Sequence, residues 1–129
     1  MAEPARLLDA SALLALIFEE PGAERVLAAL DGAAISAVNQ AEVVELAGRR
    51  GIDCARAAAW AEELALPVLG FTAPMAAQAG ALLAAHRRRG LSLGDAACLA
   101  TAAVLRLPVL TADRAWAGLG LELDIRLIR

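Results

Sequence analysis

The chain has 129 residues, 60% of them hydrophobic but only 3% aromatic, and a net charge of −3. One domain spanning 1–129 with an aliphatic, helix-rich core fits that length and Ala/Leu bias. The nearly uncharged run from Ala96 to Leu105 is ended by Arg106, well short of the roughly 20 residues of a membrane span, and MAEPARLLDA lacks the basic and apolar runs of a secretory leader, so a cytoplasmic protein without a membrane partner is expected.

Arg6 to Asp9 reads as a short apolar strand, and Ser11 to Glu20 as a helix apolar on nearly all sides, of the kind packed into an interior. Pro21-Gly22 breaks it, and a second short helix runs to about Leu30. After the Asp31-Gly32 turn, Ala33 to Ser36 is a strand and Val38 to Arg50 a helix closed by Gly51. Asp53 caps a helix to about Ala65, and Pro67 opens a strand that reaches Phe71. Thr72 and Pro74 start a long helix that stops at His86-Arg87-Arg88-Arg89-Gly90. Ser92 begins a helix to about Arg106. Pro108 to Thr111 is then a strand, Asp113 to Gly118 a helical turn and Leu123 to Ile128 a last strand. Strands alternating with helices predict an α/β fold, a parallel sheet covered on both faces and joined by right-handed crossovers.

Four acids, Asp9, Glu42, Asp95 and Asp113, fall where apolar runs meet polar turns. Ligands of such sheets bind outside the carboxyl ends of the strands. Asp9 and Asp113 follow the first and fourth strands, Asp95 opens the helix feeding the fourth, and Glu42 lies on the helix after the second. An ionised carboxylate in apolar surroundings costs several kcal/mol or more unless it is paired, hydrogen-bonded or bound to metal. Only Asp113 has a basic neighbour, Arg114.

Each acid also has a purely structural explanation. Asp9 is a good helix N-cap, Ser92 with Asp95 matches a capping box, and Thr111 and Asp113 suit the turn that follows them. Glu42 and Glu45 are hard to separate by spacing, because a solvated Glu45 to Arg49 pair explains that helix face equally well. Independent caps, however, have no reason to converge on one sheet edge. Ser11 is placed to share the first cap or to orient Asp9 through a hydrogen bond.

The remaining polar and aromatic residues favour structural roles. His86 complements a helix C-terminus, and Arg87, Arg88 and Arg89 are either a solvated helix end or a contact for phosphate. Trp60 belongs to a core or a subunit contact, and Trp116 packs a short turn or borders the site. Cys54 and Cys98 form no metal-binding cluster and read as buried thiols. There is no lysine, which argues against phosphoryl-relay receivers, aspartyl-phosphate hydrolases and Walker-type phosphate loops.

Taken in series, LLDASALLALIFEEPGAE near the start, SAVNQAEVVEL from Ser36, LSLGDAACLATA from Leu91 and VLTADRAW from Val109 resemble the PIN-domain family, most closely its VapC toxins. The match covers essentially the whole chain. The resemblance implies a three-layer α/β/α sandwich and a metal-dependent endoribonuclease, usually a homodimer inhibited by a partner antitoxin. It favours Glu42 over Glu45, matches Asp9, Asp95 and Asp113 to the family's other acids, and matches Thr111 to its polar residue before the last of them. Trp116 stands where a phenylalanine is more familiar.

Hard oxygen donors without His or Cys favour Mg²⁺ or Mn²⁺. Two such ions would take the charge to about +1, making an acidic chain compatible with a polyanionic RNA substrate. The expected arrangement is one ion on Asp9, Glu42 and Asp95 and a second on Asp113 and Asp9, with Ser11 and Thr111 behind them. The alternative is a non-catalytic PIN module that binds RNA or a protein partner.

Overall fold

The computed structural model describes residues 3–129. Five parallel strands, β1 (Arg6–Leu8), β2 (Ala33–Ser36), β3 (Val68–Leu69), β4 (Val109–Thr111) and β5 (Ile125–Leu127), form one sheet in the order β3-β2-β1-β4-β5. Six helices connect them: α1 (Ala10–Ile17), α2 (Ala23–Ala29), α3 (Ala37–Arg49), α4 (Cys54–Glu63), α5 (Ala73–Ala85) and α6 (Leu93–Leu105). Short 3₁₀ turns occupy Arg87–Arg89 and Arg114–Leu119.

Side chains alternate across each strand, and this produces the three layers. Leu8, Ile35 and Leu110 face a cluster with Leu13, Val43, Ala57 and Trp60 from α1, α3 and α4. Leu7, Ala34 and Val109 point the other way, onto Cys98, Leu99 and Ala102 of α6 and onto Trp116. The central strands are apolar on both faces because both faces are covered. The expected α/β/α sandwich is the observed one.

Capping signals were legible in the sequence and are realised in the fold. The Asp9 carboxylate accepts from the Ala12 N–H, Asp53 from Ala55, and Thr72 from Met75. Ser92 and Asp95 form a reciprocal capping box at the start of α6.

Several boundaries differ from expectation. Helix α1 ends at Ile17, short of Glu20, because Glu19 adopts a left-handed conformation (φ 53°). Strand β3 keeps only two residues of the expected five, as an edge strand with a single neighbour. The expected run to Gly90 is split, α5 stopping at Ala85 before the 3₁₀ turn. Cys98 is buried as expected, but Cys54 is exposed: it sits in the first turn of α4, on the solvent side. Trp60 is in the core, edge-on to Phe18. Among the described residues no helix is long and apolar enough to cross a membrane.

The chain leaves β1 toward β2 and β3, then crosses back to place β4 on the other side of β1. This reversal opens a crevice between the carboxyl ends of β1 and β4, where sheets of this type bind ligands.

Candidate active site at the carboxyl edge of the sheet

Asp9 follows β1 directly and is only 5% exposed. Its main-chain N–H donates to the Leu110 carbonyl, which fixes it against β4. Every bond to its carboxylate comes from a defined donor: Ser11 Oγ at 2.7 Å and Ala12 N at 2.9 Å to Oδ1, and Thr111 Oγ1 at 2.6 Å to Oδ2. Ser11 Oγ also accepts from the Ala112 N–H, and Thr111 Oγ1 from the Asp113 N–H. Asp9 thus caps α1 and is also the centre of a network that stitches the ends of β1 and β4 together.

Burial raises Asp9 from 3.8 to about 6, opposed by the bonds from Thr111, Ser11 and Ala12 and reinforced by the nearby Asp95 charge. Glu42 is raised too, by burial first and then by Asp95 and Glu45, against the hydrogen bond from Asn39. The buried Cys98 thiol is pushed well up by burial and by Asp9, Glu42 and Asp95 together. The same three carboxylates therefore lie near enough to Cys98 of α6 for their charges to act on it.

Glu42 reaches this position through two residues that sequence reasoning passed over. Asn39 Nδ2 donates to Glu42 Oε1 at 2.6 Å and to the Gly94 carbonyl at 3.1 Å. Gly94 lets α6 approach α3 so closely that a β-carbon there would collide with the Glu42 carboxylate. The available signal was an amide one helical turn before the acid and a glycine beside Asp95. Glu45, by contrast, is exposed and pairs with Arg49 at 3.0 Å.

Asp95 and Asp113 line one pocket of about 240 Å³, with Arg89, Arg114 and Trp116 also on its wall. Asp95 uses Oδ2 to accept the Ser92 N–H at 3.0 Å. Asp113 uses Oδ1 to cap the Arg114–Leu119 turn through Ala115 N, also at 3.0 Å. Trp116 is almost fully buried in the second core cluster, and its Nε1 has no partner among the described residues.

The donor set is carboxylate oxygen supported by hydroxyl and amide groups, as hard divalent cations require. Among the described residues, no three acidic, His or Cys side chains lie close enough as arranged to hold an ion jointly. Mg²⁺ asks less than that, since it keeps several waters and takes one or two carboxylates directly. Asn39 Oδ1, buried without a partner beside Glu42, adds an unused oxygen to this region. The residues present fit such an ion.

A family model described as PIN domain matches residues 6–120. Among solved structures, the Mycobacterium tuberculosis toxin VapC20, described as cleaving the sarcin-ricin loop, superposes with a TM-score of 0.75 at 23% identity, covering 93% of this chain and 98% of that one. A DNA-bound VapBC complex from Salmonella typhimurium gives 0.74 at 20% identity, over 98% and 99% of the two chains. A toxin–antitoxin complex from Klebsiella pneumoniae gives 0.71 at 22%, over 96% and 98%. No curated protein matches by sequence.

Proposed function

The chain belongs to the PIN-domain family, and from that premise we propose that it is a metal-dependent endoribonuclease acting as the toxin of a toxin–antitoxin pair. The observation that carries this reading is the Glu42 carboxylate packed against Gly94, next to Asp95, with Asp113 beside Asp95 in one pocket and the buried Asp9 near enough to Asp95 to feel its charge. Its solved neighbours include toxins with antitoxin partners and a toxin described as cleaving the sarcin-ricin loop. Those likenesses support the choice of RNA and of an antitoxin partner. A cytoplasmic homodimer of single-domain chains completes the proposal.

In this reading Asp9, Glu42, Asp95 and Asp113 hold Mg²⁺ or Mn²⁺, directly or through water. When bound, such ions neutralise the phosphate and lower the pKa of water for an in-line displacement. The chain's own contribution is to aim the oxygens. Ser11 and Thr111 fix the Asp9 carboxylate, Asn39 holds Glu42, and the Ser92 main chain holds Asp95. Preset donors of this kind spare the reorganisation a mobile carboxylate needs when substrate arrives.

The test is cleavage of defined structured RNAs in Mg²⁺ or Mn²⁺, with EDTA and matched DNA in parallel. The reading predicts metal-dependent, EDTA-sensitive cleavage of RNA. Absence of cleavage in either metal, with the antitoxin removed, would instead favour a non-catalytic PIN module.

A further inference from the structure

Although the chain is acidic overall, its arginines are not distributed evenly. Arg49, Arg50, Arg56, Arg126 and Arg129 pair with carboxylates, and Arg6 and Arg25 donate to main-chain carbonyls. Among the described residues Arg87, Arg88, Arg89 and Arg114 are exposed and have no carboxylate partner, although Asp95 and Asp113 are close by. Arg89 and Arg114 line the pocket that those two acids share. Arg89 also lines a second groove, running past His86, Arg87 and Arg88. Its guanidinium donates to the Gly118 carbonyl at 3.2 Å, which ties the Arg87–Arg89 turn to the Arg114–Leu119 turn.

A row of exposed guanidinium groups without carboxylate partners, anchored where Arg89 donates to the Gly118 carbonyl and beginning beside a carboxylate pocket, matches a phosphate backbone better than it matches bases. The aromatic residues offer nothing to stack on: both tryptophans are buried, Phe18 is covered by Arg50, and Phe71 packs against α5 and α6. Affinity for a strand must then come from charge, and guanidinium forks are suited to phosphate oxygens.

We propose that Arg89 and Arg114 form a phosphate subsite next to the carboxylate pocket, and that Arg87 and Arg88 extend it as a track for the backbone of single-stranded RNA. The proposal rests on the ribonuclease reading for its ligand, but its test does not require cleavage. Arg89 and Arg114 face the repulsion between RNA and the acids at the pocket mouth, and they position the strand without touching the reacting bond.

The test is binding of a fluorescent single-stranded RNA oligonucleotide in EDTA across a salt series, comparing wild type with Arg89→Gln/Arg114→Gln. Each lost phosphate contact should flatten the slope of log affinity against log salt by about 0.7, so the double variant should lose about 1.4 and bind roughly tenfold more weakly at low salt. Arg106→Gln removes an exposed, unpaired charge at the opposite end of the sheet and should leave the slope unchanged. Arg114→Lys should retain the slope contribution of that position. An unchanged slope in the double variant, an equal loss in Arg106→Gln, or no RNA binding by wild type would overturn the subsite. If the double variant loses binding as described while wild type fails to cleave in Mg²⁺ or Mn²⁺, the subsite stands and the ribonuclease reading falls.

Discussion

Thr111 donates its hydroxyl proton to Asp9 Oδ2 at 2.6 Å, joining the end of β4 to the end of β1 across 102 positions of sequence. Thr111 Oγ1 in turn accepts the Asp113 main-chain N–H, so one hydroxyl helps to position two of the four acids. Thr111→Val removes both bonds at nearly constant volume. With a charge-assisted bond lost, Asp9 should rise further and the acid limb of the pH profile of kcat/KM should move up by about one pH unit. Thr111→Ser should restore the limb. An unmoved limb in Thr111→Val would show that this hydroxyl does not govern Asp9.

Asp9 makes the metal-free protein sensitive to pH in a defined direction. Its folded pKa of about 6 lies above the ordinary 3.8 because of burial, so protonation favours the folded state. That contribution is complete below the ordinary value and is lost as pH rises through about 6. The gap corresponds to on the order of 3 kcal/mol, and Glu42 is displaced in the same direction. Metal-free protein should therefore have a higher Tm at pH 5 than at pH 8, and Mn²⁺ should raise Tm more at pH 8, where no proton competes. A metal-free Tm that climbs from pH 5 to pH 8 would contradict this.

Gly94 and Glu42 pack without room for a methyl group. Gly94→Ala should push the mobile end of the Glu42 side chain out of place with little net change in stability, because alanine also suits the interior of α6 better than glycine by about 1 kcal/mol. Cleavage should fall by roughly two orders of magnitude, as expected when a catalytic group is displaced by about 1 Å. Urea denaturation and initial rates measure the two effects separately. Wild-type activity in a folded Gly94→Ala protein would remove Glu42 from the proposed site.

Asn39→Ala deletes the donor shared by Glu42 and the Gly94 carbonyl. Leaving the buried Gly94 carbonyl unpaired should cost about 1–3 kcal/mol, and the half-buried Glu42 should titrate higher without its amide. The expected signature is a lower kcat with an acid limb moved up, and with KM little changed. A change in KM alone would point to a role in substrate binding.

Much of this architecture was legible because its signals are local. Alternation of strand and helix, the Asp9 and Thr72 caps and the Ser92–Asp95 box each depend on a few adjacent residues, and each formed as read. Helix α1 ends early, at Ile17, because the left-handed residue that follows, Glu19, is not a glycine and so carries no signal. Spacing alone could not tell Glu42 from Glu45, because what separates them is the approach of Gly94 from 52 positions downstream. Asn39 was overlooked for the same reason: its importance lies in bonding across two helices. Cys54 is exposed, contrary to expectation, since a free thiol's burial depends on which face of α4 meets the core.

The central claim is that these separated acids act together as a metal-binding catalytic group, and Asp95→Asn tests it most directly. Asparagine retains an oxygen for the Ser92 N–H, so the cap of α6 and the fold should survive. In Mn²⁺ or Mg²⁺ we predict that wild type cleaves structured RNA and is stopped by EDTA. Asp95→Asn should lose roughly three orders of magnitude in rate and most of the metal-induced rise in Tm. Near-wild-type cleavage by a folded Asp95→Asn protein, or wild-type cleavage that persists in EDTA, would contradict the account.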